Sequence, residues 1–421
     1  MSLSCLLLPR LQRDILPHVP LRERFILNPR LKTKAMSWDF LVEMLVVLVA
    51  VAASPIVSRL TRLPVMVVEV LLGLALGPSL LNVIGDGPVI SLLATIGFIY
   101  LMFLAGLEVE VALIRRRARA VALMSASSFA VPMALGYMLA LRYGLPAEFM
   151  AVALSTTSVG VVLPLVRELG PESELGQVLL GSSVLVDVMS MFALAYVVEE
   201  RLLGLDRLLA LLAAVAASAW LLAYVRERRG LSRRISEAVK SHHLDVRLSL
   251  AVIFVFALMA EVVGVHAILG SFFAGLVMSG LEGEAEDLLE KLRSFGYGFF
   301  TPIFFVSVGA KTDLAPLLSS AAGLELLAAL VTVAVAGKVV GALASSALVG
   351  LSLAEGLSVG LAMSARLSLV LAAAELGLAV GLIGHDVFSA LVLLALVTTL
   401  LSPSLAKLVL SRALGRRASP A

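Results

Sequence analysis

The chain has 421 residues, 60% of them hydrophobic and 15% charged, with a net charge of +3 and a mean hydropathy of +1.03. A soluble domain of this size needs far more charge to keep its surface wet, so that class is excluded. The modest positive balance sits in loops between apolar runs, where it sets orientation and gives no footprint for nucleic acid.

In chain order, residues 1–35 come first and carry Arg10, Arg13, Arg22, Arg24, Arg30, Lys32 and Lys34. They also hold the single cysteine, Cys5, so neither an intrachain disulfide nor a thiolate metal cage is available. Met36 then opens "MSWDFLVEMLVVLVAVAAS" and enters an apolar run at once. We expect Met36 to be the true start and 1–35 a mis-called extension.

From there to 412, apolar runs of roughly twenty residues, each long enough to span a bilayer as a helix, predict an all-α membrane domain of about 13 transmembrane helices. The first seven lie near 39–58, 65–84, 88–108, 119–142, 148–168, 175–198 and 205–225. The last six lie near 246–263, 265–281, 294–311, 323–349, 355–383 and 386–411, followed by a short basic tail over 413–421. One side collects Arg59, Arg62, Arg115, Arg116, Arg117, Arg119, Arg167 and the basic run between 226 and 247. The other side, beyond residue 38, holds little more than Arg142, Arg201, Arg207 and Lys311. The positive-inside rule therefore places the C-terminus in the cytoplasm and the N-terminus outside the plasma membrane. The polar stretch 226–245 is too short to fold alone, so a nucleotide-sensing module would have to come from a separate regulatory subunit.

The end of span three, "FLAGLEVEV", resembles the end of span ten, "VSVGAKTDL". Each sets a glycine, Gly106 or Gly309, four residues before an acid, Glu110 or Asp313. Span two, "LLGLALGPSLL", agrees loosely with span nine, "FFAGLVMSGL". The offset of seven spans is odd, which makes the repeat an inverted one.

An ionised side chain at mid-bilayer costs roughly 2.5–3.5 kcal/mol, so each one requires a reason. The candidates are Glu69, Asp187, Glu261, Lys338, Arg366 and Glu375. Asp187 stands in the middle of span six with no other charge for over a turn on either side. Such a carboxylate can bind a cation or a proton, but not both; the bland alternative is a structural acid paired with Lys338. Span five contains Ser155, Thr156, Thr157 and Ser158, then Gly160 and Pro164. Pro164 removes the donor for the carbonyl of Gly160, and an unwound stretch here would offer the hard oxygen ligands that Na⁺ or K⁺ needs. Helix-to-helix hydrogen bonding is the alternative use of those hydroxyls. Gly337 and Gly341 flank Lys338 and would let another backbone approach, while Ser364 and Ser368 flank Arg366. These cations either compete for Asp187 or neutralise helix ends. Glu69 reads as a structural or dimer-side acid, and Glu261 and Glu375 have no evident role. For His242 and His243, in the cytoplasmic loop, sensing of pH near neutrality is a candidate use, and a solvated loop pair is the bland one. An aspartyl protease needs two carboxylates sharing a proton and a zinc protease needs HExxH; neither pattern is present, so no enzymatic activity and no cofactor are expected. A gated channel lined by the same polar break remains a rival to a carrier.

The strings "RLPVMVVEVLLGLALGPSLL", "LMFLAGLEVE", "LSTTSVGVVLPLVRELG", "SVLVDVMSM", "HAILGSFFAGLVMSG", "AGKVVG" and "VTTLLSPSL" follow one another over 54–411. In this order and spacing the chain resembles the monovalent cation:proton antiporter-2 family. The resemblance implies a secondary antiporter exchanging Na⁺ or K⁺ for H⁺ by alternating access, built as a homodimer in the lipid bilayer. It implies a dimerisation scaffold of spans one to three and eight to ten, and a moving core of spans four to six and eleven to thirteen. Two interrupted helices would cross at 155–164 and near 364–368, beside Asp187 and Lys338. Three departures stand out: Val186 replaces the usual polar residue before the ion-binding aspartate, Arg366-Leu367-Ser368 replaces Arg-Gly-Glu, and Lys338 lacks the family's first aspartate. Lys338 is therefore expected to pair with Asp187 itself. With one carboxylate, the simplest cycle exchanges one cation for one proton and moves no net charge.

Overall fold

The structure is a computed structural model that describes residues 38–85, 87–108, 117–170, 173–199, 244–263, 266–279 and 286–418. Outside these fall Met36 with the N-terminal extension, the expected span at 205–225, the loop pair His242 and His243, and Glu110 of the repeat. The described residues are helical throughout, with no strand among them.

The first helices are α1 (Trp38–Thr61), α2 (Val65–Leu76), α3 (Pro88–Leu107), α4 (Ala118–Tyr143), α5 (Ala147–Ser155), α6 (Val159–Leu169) and α7 (Glu174–Glu199). After the undescribed stretch come α8 (Leu244–Val263), α9 (Ala267–Ser279), α10 (Glu286–Phe295) and α11 (Thr301–Ala310). The last are α12 (Ala315–Ser319), α13 (Ala321–Ser346), α14 (Leu353–Ser364), α15 (Ser368–Ala379) and α16 (His385–Ala418). Among the described residues, seven helical stretches are long and apolar enough to cross a membrane, or eight if the bent pair α14–α15 counts as one span. The apolar helices α2 and α9 are shorter, at 12 and 13 residues.

Local chemistry sets the helix ends. Pro88 occupies the first turn of α3, where its missing N–H costs nothing. Ser352 and Glu355 form a reciprocal capping box at the start of α14. Gly144 takes φ 65° and stops α4 in the left-handed conformation. A π turn over Gly296–Phe300 joins α10 to α11 just before Pro302, which cannot donate to the helical ladder.

Packing divides the helices into two groups. In the first, α2 lies on α1 and α11, α3 on α9 and α11, and α8 on α9. In the second, α4 lies on α5, α7 and α13, α13 on α14, and α14 and α15 on α16, while α6 lies on α7. Glycines set the closest approaches. A Cβ on Gly309 would stand 2.1 Å from the carbonyl oxygen of Val70, and one on Gly73 2.0 Å from that of Val306. The α9–α3 pair repeats the arrangement: a Cβ on Gly106 would stand 2.0 Å from the Phe272 carbonyl oxygen, and one on Gly275 2.0 Å from that of Phe103. Gly337 and Gly341 do admit another backbone, that of α4, at Pro132 and Ser127.

Candidate functional site

Two helices of the second group are interrupted, and their breaks meet. Thr156, Thr157 and Ser158 separate α5 from α6, while Ala365, Arg366 and Leu367 separate α14 from α15 with a 41° bend. The Thr157 hydroxyl donates to the Met363 carbonyl at 2.8 Å, and the Ser158 amide to the Ala365 carbonyl at 3.1 Å. The first interruption is shorter than the sequence suggested. It ends at Ser158, and Pro164 lies inside α6, where the helix forms around it. Gly160 keeps open space around its Cα, and its carbonyl still lacks the donor that a residue other than proline would supply from position 164.

Each half-helix end is met by a buried cation. Lys338 Nζ donates to the Ser155 carbonyl at 2.6 Å. Arg366 reaches three carbonyls: Leu154 at 2.5 Å, Ala334 at 3.0 Å and Ser364 at 3.2 Å. Positive charge at the C-terminal ends of α5 and α14 complements the partial negative charge of their free carbonyls. The expected pairing of Lys338 with Asp187 is not made: no ion pair joins them, because the buried carbonyl of Ser155, free at the helix end, takes the ammonium instead.

Asp187 projects from α7 into a cavity of about 40 Å³ that is also lined by Ser158, Gly160, Ser368, Glu108 and Tyr297. Its Oδ1 is fully enclosed and has no hydrogen-bond partner. Of the four hydroxyl residues named from the sequence, Ser158 alone lines this cavity. Ser155 and Thr156 donate to the carbonyls of Val152 and Ala153, one turn back, and Thr157 is committed to Met363. Their hydroxyls tie down the break, and Ser158 and Gly160 face the space beside Asp187.

Glu108 is the functional candidate that sequence reasoning passed over. It follows the last residue of α3, in the first group, yet shares the cavity with Asp187 of the second. Tyr297, on the π turn, donates to Glu108 Oε1 at 2.9 Å. The sequence signal is "GLEVE", where two acids, Glu108 and Glu110, close an apolar run and nothing local separates them. Among the described residues there is no cluster of three or more His, Cys, Asp or Glu side chains able to hold a metal; the cavity offers the carboxylates of Asp187 and Glu108, the hydroxyls of Ser158, Ser368 and Tyr297, and backbone oxygen. That donor set suits a hard monovalent cation or a proton.

The remaining acids now have places. Glu69 is buried between α1 and α2 and accepts from the Ser54 hydroxyl at 3.2 Å. Glu261 accepts from the Ala267 amide at 3.0 Å and so caps α9. Glu375 accepts from Lys311 at 2.5 Å.

A family described as the transmembrane sodium/hydrogen exchangers matches residues 45–412. The probable Na⁺/H⁺ antiporter 3 of Methanocaldococcus jannaschii is 29% identical over 354 residues, covering 82% of this chain and 90% of that one. The high-affinity Na⁺/H⁺ antiporter NhaS3 of Synechocystis sp. is 31% identical over 356 residues, 80% of this chain and 76% of its own. Among solved structures, the sodium proton antiporter MjNhaP1 of Methanocaldococcus jannaschii at pH 8 is similar with a TM-score of 0.63. That likeness covers 88% of this chain and 98% of the other at 17% identity, and it is one of fold.

Proposed function

Because the chain belongs to the transmembrane sodium/hydrogen exchanger family, we propose that it exchanges a monovalent cation for H⁺ across the plasma membrane, with Asp187 as the shared carrier. The observation that supports Asp187 is its enclosed, unpartnered oxygen in a cavity beside two crossed helix breaks. An unpaired anion in such surroundings is costly, and binding either H⁺ or a cation relieves the cost. Asp187, Ser158 and the Gly160 carbonyl form the proposed ligand set, with Glu108 reaching the same space from the other helix group. Na⁺ is the favoured cation, since the two relatives above are named for Na⁺/H⁺ exchange; K⁺ is the alternative, because oxygen ligands serve both.

The proposed architecture is a thirteen-span inverted repeat. Span two packing on span ten, and span nine on span three, through matching glycine contacts supports that symmetry. The first helix group would be a scaffold that joins a homodimer, and the second a core that moves against it to alternate access. Lys338 and Arg366 travel with the core as modulating charges. The Glu108 end of α3 precedes Arg115, Arg116 and Arg117 and would face the cytoplasm, with the N-terminus outside.

The test is pH-gradient-driven Na⁺ or K⁺ uptake into proteoliposomes, with wild type beside Asp187→Asn. Uphill, proton-coupled cation movement is expected for wild type, which a channel cannot produce, and none for the variant. Coupled exchange by a folded Asp187→Asn protein would end the carrier assignment.

A further inference from the structure

We propose that the Lys311–Glu375 ion pair is a latch between the two helix groups, closing the end of the molecule opposite the Asp187 cavity and opening once in every transport cycle. It rests on the alternating-access reading above and names the contact that reading must break.

Lys311 caps α11 of the first group, and Glu375 lies in α15 of the second. Their side chains are only 18% and 20% exposed, so the pair is largely withdrawn from solvent. Two residues along, the Asp313 amide donates to the Ser389 hydroxyl of α16 at 3.0 Å and fastens the same corner. Both bonds cross from one group to the other.

The position is the far end of the bundle. Helix α3 runs antiparallel to α11: Phe98 stacks on Phe304 at mid-length, and Glu108 meets Tyr297 at one end. From Tyr297 to Lys311 is 14 residues (311 − 297), about 20 Å along helix. A second pocket, of 240 Å³, begins at Lys311 and is lined also by Ser79, Asp313 and His385. A vestibule of mixed polar and apolar lining therefore sits against the latch.

One rigid element connects the two places. Ser368, the first residue of α15, lines the Asp187 cavity, and Glu375 follows seven residues (375 − 368), or about 10 Å, later on the same half-helix. Any shift of the second group that turns the cavity toward the vestibule must carry Glu375 past Lys311. The pair is also poorly compensated: Glu375 Oε2 is enclosed with no hydrogen-bond partner. An unsatisfied buried oxygen lowers the net stability of an ion pair, which suits a contact that is made and broken repeatedly.

The experiment replaces Cys5 with Ser, introduces Lys311→Cys with Glu375→Cys, and measures pH-gradient-driven Na⁺ exchange in proteoliposomes. A short, reducible bis-thiol reagent should stop exchange, and reductant should restore it, while each single-cysteine control ignores the reagent. Independently, Glu375→Gln should shift the half-saturating Na⁺ concentration by roughly two- to fivefold, and the exchange of charges in Lys311→Glu with Glu375→Lys should reverse the shift. Undiminished turnover of the cross-linked protein overturns the latch, as does a Glu375→Gln protein indistinguishable from wild type. Asp187→Asn, run in parallel, separates the two ideas. If it abolishes exchange while the cross-link does not, only the latch falls; if exchange survives it, the carrier assignment falls whatever the cross-link does.

Discussion

Arg366 meets carbonyls from α5, α13 and α14, so one side chain ties three backbones together, and two of its acceptors, at Leu154 and Ser364, end a half-helix and would otherwise stand bare in a dry interior. Removing a partner from a buried acceptor costs about 1–3 kcal/mol each. Arg366→Met should therefore destabilise the protein by at least about 2 kcal/mol, seen as a lowered melting temperature in detergent. Arg366→Lys should fall between, because an ammonium cannot span the guanidinium fork. An unchanged melting temperature for Arg366→Met would mean that these bonds contribute little. Residues of this kind were legible only in part. Asp187 stands out in the sequence because no other charge shares its stretch of α7. The partners of Lys338 do not, because backbone carbonyls freed by a helix break carry no letter in the sequence. Glu108 was missed because an acid at the end of an apolar run reads as interfacial, and its partner Tyr297 lies 189 residues away.

At the level of the helix, the crossed breaks were largely readable and the exact unwound residues were not. Four consecutive hydroxyl residues announced the first break, since their side chains compete for the backbone. Pro164 pointed too far along, because α6 absorbs a proline by leaving one carbonyl, that of Gly160, without its usual donor. The family resemblance read from the ordered motifs is borne out by the match over 45–412. The glycines separate structural from functional demands. Gly309→Leu would drive a side chain into the Val70 carbonyl at 2.1 Å and force α2 from α11. Its melting temperature should drop by several degrees, while the cation affinity of the surviving folded fraction stays as in wild type. Gly160→Ala meets nothing within 4 Å, so it should melt like wild type but alter the half-saturating cation concentration through the cavity it lines. Reversed outcomes, with Gly160→Ala unstable and unaltered in affinity, would remove Gly160 from the site.

For the whole molecule, the count of charges that move decides how transport couples to voltage. Asp187, Lys338 and Arg366 all belong to the second helix group. If that group shifts as one body, their charges cross the field in one direction and return in the other. Over a full cycle these contributions cancel, and what remains is one cation carried one way and one proton the other. Glu108 does not alter the sum, because it belongs to the first group and stays behind. Individual rates can still respond to voltage as buried charges move, so a rate is the wrong quantity to measure. The null point is the right one. With Na⁺ and H⁺ ratios set equal across the proteoliposome membrane, net flux should vanish at every imposed potassium diffusion potential. Were a second proton carried per cation, each 100 mV would contribute about 2.3 kcal/mol to the exchange. The balancing Na⁺ ratio would then shift by about fiftyfold. Such a shift would require another titrating group that travels with Asp187, and Lys338, buried on α13 of the same group, would be the one to test.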